Sequence, residues 1–402
     1  MRPFSSSSDS RAPAASAENS ASAGGLFDGT LARGEVRGRV ADDAWLAALL
    51  EVEAALARAT VDAGLIPAEA GAEIATACHG LDVPVAELSA EAAASGNPVV
   101  PLVARLRSAV GPSAREFVHK GATSQDILDT AAMLLASRAL EPLLADLRGA
   151  ADAAAGLARA YQDTPMAART LLRRAVPTTF GLKAAGWMVA LDESADRLAA
   201  LKPRLAVQYG GAAGNRAGLS GQGARIARAM AGDLGLAEAV LPWHTDRGRI
   251  AELAGALGAA AGTAGKVARD ITLLAQDEVA EAHEGAPGGS SAMAHKQNAV
   301  ASVSALGAAM RAPSLVATLY AAMVQEHERA AGAWHSEWLT LRDLLVVTGS
   351  AAAWVRDALT HLVVEPETMR THAEELAEVV GGLDVGEAVS MVDDALAARE
   401  DP

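Results

Sequence analysis

Between Asp42 and Ala63 the apolar residues Trp45, Leu46, Leu49, Val52 and Leu56 recur at three- and four-residue steps until Gly64 ends the run. That is the spacing of one buried helix face. Shorter helical stretches follow, punctuated by Pro84 and Gly96-Asn97-Pro98. Past His119 the pattern lengthens. Asp126 to Tyr161 predicts a long Ala/Leu-rich helix, bent or restarted near Pro142 because proline lacks the helical N–H donor. Gly181 to Leu201, Arg247 to Glu281 and Ala301 to Arg329 predict three more. In the second of these, Ile250, Leu253, Leu257, Ala264, Val267, Ile271 and Leu274 form a single stripe. Strand-like alternation is nearly absent, and Val346 to Pro402 reads as shorter, acidic helices.

Long helices rich in small residues pack at short interaxial distance. The expected fold is therefore all-α, a long central helical bundle flanked by smaller helical domains at each end. The expected divisions are a disordered Ser/Ala-rich tail over 1–25, an N-terminal helical domain over 26–118, the bundle over 119–345 and a small C-terminal domain over 346–402. Apolar stripes on more than one face of such helices call for partner chains, so an oligomer is expected.

Composition sharpens this picture. Hydrophobic residues make up 51% of the 402 but aromatic residues only 3%, so the core is built of Ala, Leu and Val, which suits helix against helix. A net charge of -15 argues against sequence-independent nucleic-acid binding and makes any arginine cluster conspicuous. Cys78, the only cysteine, excludes an intrachain disulfide and a Cys-rich zinc site. No uninterrupted apolar run reaches transmembrane length, and the N-terminal stretch lacks the apolar core of a signal peptide. A soluble cytoplasmic protein with no membrane partner is expected.

Chemistry gathers in the polar linkers. His119-Lys120-Gly121-Ala122-Thr123-Ser124-Gln125-Asp126 precedes a helix, where the hydroxyls serve equally as helix caps or as carboxylate binders. Arg169-Thr170-Leu171-Leu172-Arg173-Arg174 puts three arginines in six residues of an acidic chain, an anion site or a solvated basic turn. Gln208-Tyr209-Gly210-Gly211-Ala212-Ala213-Gly214-Asn215 has neither the preceding strand nor the lysine of a phosphate loop. Gln325-Glu326-His327-Glu328-Arg329 lacks the His-Glu-x-x-His spacing of a zinc helix and reads as helical ion pairing. His244, in Pro242-Trp243-His244-Thr245, is either structural or pocket-lining.

The most telling stretch is Gly288-Gly-Ser-Ser-Ala-Met-Ala-His-Lys-Gln-Asn-Ala-Val300. Its glycines permit a mobile loop, and hydroxyls, an imidazole, an ammonium and an amide share it. A proton-transfer group thus sits beside groups that can hold a negatively charged oxygen. Acid/base chemistry on a small polyanion, with no metal or organic cofactor, is the expected activity.

Together these motifs, with Pro177-Thr178-Thr179-Phe180-Gly181-Leu182-Lys183 and Trp334-His335, resemble the fumarase/aspartase superfamily and, within it, the bacterial carboxymuconate cycloisomerases. Leu171 stands where adenylosuccinate lyases carry a histidine, as in cycloisomerases. The resemblance implies a homotetramer with active sites assembled from three subunits and an enediolate formed beside a carboxylate. It implies Ser290 as the proton-transfer serine, Lys296 and Asn298 as charge-stabilising groups and His119 as a proton-transfer candidate beside His244. It also implies Thr123, Ser124, Arg169, Arg173, Arg174, Thr178, Gln208, His244, Ser291, Met293 and Arg329 as substrate-binding residues. Departures from the superfamily pattern are Ala294, Gln297 and Ala299, where Pro, Arg and Pro are usual, together with Arg173, Arg174 and Asn215. A β-eliminating lyase acting on a substituted succinate and a catalytically silent assembly protein are the alternative expectations.

Overall fold

The computed structural model describes residues 25–293 and 295–400. The tail expected over 1–25 falls, up to residue 24, outside the described residues, as does Ala294. Two single turns, α1 (Asp28–Leu31) and α2 (Val36–Arg39), lead into α3 (Asp42–Asp62), α4 (Ala68–Gly80), α5 (Val85–Ser95), α6 (Val99–Ala109) and the turn α7 (Pro112–Arg115). The bundle then begins with α8 (Ser124–Ala160) and, after the strands β1 (Pro165–Thr170) and β2 (Arg173–Thr179), continues with α9 (Phe180–Leu201). Next come α10 (Gly223–Leu234), α11 (Gly248–Leu274), β3 (Ala282–Glu284), α12 (Val300–Ala309) and α13 (Ala312–Ala321). The chain closes with α14 (Ala333–Thr360), β4 (Leu362–Val364), α15 (Pro366–Val380) and α16 (Ala388–Glu400).

Helix α8 packs against α9 and α14, and α11 packs against α9, α12 and α14. Alanines make this close packing possible: Ala150, Ala151, Ala154, Ala155 and Ala158 of α8 and Ala260, Ala261, Ala264 and Ala268 of α11 are fully buried. At the start of α9 the approach is closer still. A Cβ on Gly181 would lie 2.5 Å from the Cα of Gln162, so only glycine fits there.

The all-α expectation holds, and the differences are local. α8 runs unbroken through Pro142, because Leu140 and Leu143 on either side are buried in the bundle and hold the helix despite the lost donor. The expected helix Ala301–Arg329 is two: it breaks at Met310-Arg311, where Pro313 starts α13, and ends at Ala321. The Gln325–Arg329 segment is therefore loop, not an ion-paired helix. The Arg247–Glu281 helix stops at Leu274. The boundary expected at 345/346 falls inside α14.

Arg169–Thr179, read as a polar linker, is a β-hairpin. Met166 pairs with Thr178 and Thr170 with Arg173 around a turn in which Leu171 and Leu172 both have positive φ (50° and 65°). A second antiparallel pair joins β3 to β4. No apolar run is uninterrupted over a membrane-spanning length, but by length and composition alone Val300–Ala321, with Arg311 inside it, would qualify. It is broken at Arg311, and α11 and α14 cover one side of it.

Candidate active site

The polar linkers form two groups at opposite ends of the bundle. The first surrounds the N-terminus of α8. Asp126, at the third position of that helix, reaches back to the Thr123 N–H (2.9 Å) and also accepts the Gly210 and Gly211 N–H groups (2.9 Å each). His244 Nε2 lies 2.7 Å from the same carboxylate. Asp126 is fully buried, and its oxygens are filled by these four partners. It fastens the linkers carrying Thr123, Gly210 and His244 into one surface. Of the two readings its sequence left open, the geometry shows the structural one: His244 is buried against Asp126.

Arg329 joins this group from the 322–332 loop, donating to Gln125 Oε1 and to the Ala212 carbonyl (2.9 Å each). Gln125 in turn donates to the His244 carbonyl (2.8 Å). Beneath lies an ionic layer. Arg247, buried, spans Asp129 (2.8 and 3.1 Å) and Glu337, and Trp334 Nε1 donates to Asp129 (3.0 Å). Burial holds the Glu337 carboxyl above the usual carboxylate range, in spite of the Arg247 charge beside it. Gln208 belongs to this layer and not to a binding surface: it is fully buried, with its amide oxygen taken by the Trp243 N–H (2.8 Å) and its amide nitrogen facing Asp129. Ser124 starts α8 next to Thr123.

The second group sits where α8, α11 and α14 end. The loop between β3 and α12 carries Ser290, Ser291, Met293, Lys296 and Asn298. Its neck is closed twice. Gly288 and Asn298 exchange backbone hydrogen bonds (2.9 and 2.8 Å), and the buried Glu284 carboxylate accepts from the Ala301 N–H, the Ser302 N–H and the Ser302 hydroxyl (3.0, 2.8 and 2.7 Å). Asn298 Nδ2 adds a bond to the Gly289 carbonyl (3.1 Å), and Ser290 Oγ accepts the Met293 N–H (3.2 Å). Met293, His295, Lys296 and Asn298 line an open cleft of about 1010 Å³.

The hairpin β1–β2 belongs to this same end. Arg169, expected to bind substrate, is spent on structure: both of its terminal nitrogens bond Glu281 (2.7 Å each), which also holds His372 Nδ1 (2.7 Å). Glu281 is fully buried, so this cation neutralises a charge that could not stand alone. Arg174 pairs with Glu375 (2.8 Å) at the surface, while Arg173 is exposed beside the turn and Thr178 is half-buried on β2. Leu171 and Leu172 project from the turn at 97% and 75% exposure.

α8, α11 and α14 (37, 27 and 28 residues) each begin at the first group and end at the second. At 1.5 Å per residue they hold the two groups roughly 40 Å or more apart within one chain. The sequence singles out residues in both groups but not Glu284, Glu281 or Glu53, whose carboxylate lies 2.6 Å from His119 Nδ1. The signal for Glu53 was present: an acid directly after Val52, four residues past Leu49, on the apolar face of α3.

The sequence model of a lyase family matches residues 30–313. The 3-carboxy-cis,cis-muconate cycloisomerase of Bradyrhizobium diazoefficiens is 45% identical over 376 residues, 92% of this chain and 82% of that one. The nitrosuccinate lyase of Streptomyces davaonensis is 42% identical over 382 residues, 92% and 80% of the two chains. Among solved structures, the 3-carboxy-cis,cis-muconate lactonizing enzyme from Pseudomonas putida superposes with a TM-score of 0.82 at 38% identity, covering 93% of this chain and 87% of that one.

Proposed function

The chain belongs to the lyase family of the fumarase/aspartase superfamily, and from that premise we propose that it is a cycloisomerase converting 3-carboxy-cis,cis-muconate to a carboxymuconolactone in protocatechuate breakdown. One substrate carboxylate oxygen forms a C–O bond to an alkene carbon. The π pair moves to the neighbouring carbon and is held as the enediolate of the adjacent carboxylate. Ser290 then gives that carbon a proton and recovers one from solvent, so the trianion takes up one proton overall. Lys296 and Asn298 steady the enediolate charge, and Thr123, Ser124, Arg173 and Arg329 grip the substrate carboxylates.

The observation carrying this reading is the Ser290 loop, closed at its neck by Glu284 and the Gly288–Asn298 bridge, with Lys296 and Asn298 on an open cleft. The distance between the loop and the His244 cluster supports the second part of the reading, a homotetramer in which three chains complete each site. So does the apolar face left uncovered on and beside α12 and α13, where Val303, Met310, Tyr320 and Val324 are exposed. We place the enzyme, soluble, in the cytoplasm.

A second reading, β-elimination of a substituted succinate, draws on Arg173, Gln297 and Ala299 and on the likeness to a nitrosuccinate lyase. Incubation with carboxymuconate and, in parallel, with substituted succinates, following conjugated-alkene absorbance, separates the two. Loss of the muconate absorbance is expected, and no change would sink the first reading. Ser290→Ala should lower turnover by about 10²–10⁴-fold, the worth of a positioned proton donor.

A further inference from the structure

His119 sits at the first group in a backbone conformation that non-glycine residues rarely adopt, with φ of 64°. Such a conformation persists only where surrounding contacts impose it, and functional sites collect such residues. The contact that holds its ring comes from another element. Glu53, in the middle of α3 and 1% exposed, places Oε1 at 2.6 Å from His119 Nδ1. Its second oxygen, Oε2, is buried with no hydrogen-bond partner among the described residues. A buried carboxylate needs a counter-charge, and among the described residues the imidazole is the group within hydrogen-bond distance able to supply one. Nδ1 is thereby committed to Glu53, and Nε2 makes no hydrogen bond to the described residues.

We propose that Glu53 is a positioning residue: it fixes His119 with Nδ1–H directed at the buried carboxylate, so that Nε2–H is presented as a charged donor to a substrate carboxylate. This rests on the proposed function, with His119 four residues before Thr123 and within reach of the Asp126 charge at the first group. Burial opposes the charged ring, but Glu53 outweighs it and lifts the imidazole above its usual range. Asp126 on α8 acts in the same sense, Arg107 on α6 against it, and Lys120 adjoins it in the chain. Cys78 on α4, on the other side of Glu53, is itself pushed up to about 12 by burial and stays neutral.

Glu53→Gln keeps the acceptor oxygen and removes the charge. In histidine-labelled protein followed by NMR, the His119 midpoint should fall by about one unit or more in this variant. The alkaline limb of kcat/KM should move down with it, through a rise in KM of about tenfold at pH 8 and an unchanged kcat, because the grip on the substrate carboxylate is the same before and during the reaction. An unchanged His119 midpoint would overturn the proposal. If Glu53→Gln fails to fold, the unmodified protein decides alone: a His119 midpoint at or below about 6.5, or a proton on Nε2 in place of Nδ1 in the neutral form, contradicts it. His119→Gln with undiminished turnover removes His119 from the site and the proposal with it. Absence of any turnover of carboxymuconate strikes only the choice of substrate, because the titration is read without one.

Discussion

Glu284 is the residue on which the Ser290 loop hangs. Its carboxylate takes three donors from the first turn of α12, and β3, where it sits, is bound to β4. Negative charge at a helix N-terminus is favourable in itself, and charge-assisted bonds are worth roughly 1.5–3 kcal/mol each. Glu284→Ala should cost about 2–3 kcal/mol in stability and, more tellingly, speed amide exchange across 285–299 while lowering kcat. Unchanged exchange in that loop would mean that the neck is held by other contacts. The Glu53–His119 pair gives a second outcome at this scale. Its imidazole pKa is raised on folding, so its stabilising contribution is full below about pH 6.5 and fades as pH climbs through the raised value. The stability difference between the unmodified chain and Glu53→Gln, measured by urea unfolding, should be largest near pH 6 and shrink toward pH 9.

Among the elements, the hairpin β1–β2 departs most from local rules. Leu171 and Leu172 occupy turn positions that favour Asn-Gly, and both are left in solvent. Left-handed backbone costs a leucine about 1–2 kcal/mol. Replacing the pair with Asn-Gly should therefore raise stability by about 1–2 kcal/mol and, if the leucines meet another chain, weaken assembly and turnover. A thermal midpoint that falls would refute the strain. The elements also show what the sequence could convey. The long helices were legible because their stripes are regular over 20 residues and more, and the loop motifs because their residue types are unusual. The hairpin was not, since its short strands carry arginines and a proline in place of clean alternation. The glutamates Glu281 and Glu284 are hidden for a different reason: each is recognisable only through partners distant in sequence, whereas Glu53 shows itself as an acid on the apolar face of α3.

At the scale of the whole molecule, the bundle acts as a spacer. Its long helices keep the Ser290 loop at one end and the His244–Arg329 cluster at the other, so on the proposed function a single chain carries two halves of a site that it does not close alone. The exposed apolar face on α12 and α13 is where the proposed neighbouring copies would pack. Chain association, on this account, is part of catalysis. The measurement that tests it most directly uses two variants, Ser290→Ala and Arg329→Ala, each nearly inactive alone. Co-expressed and assayed on carboxymuconate, they should recover about a quarter of the unmodified activity, since random assortment in a symmetric tetramer leaves ~25% of sites with both intact residues. Recovery of none would place the two residues of each site on the same chain and contradict the shared-site account.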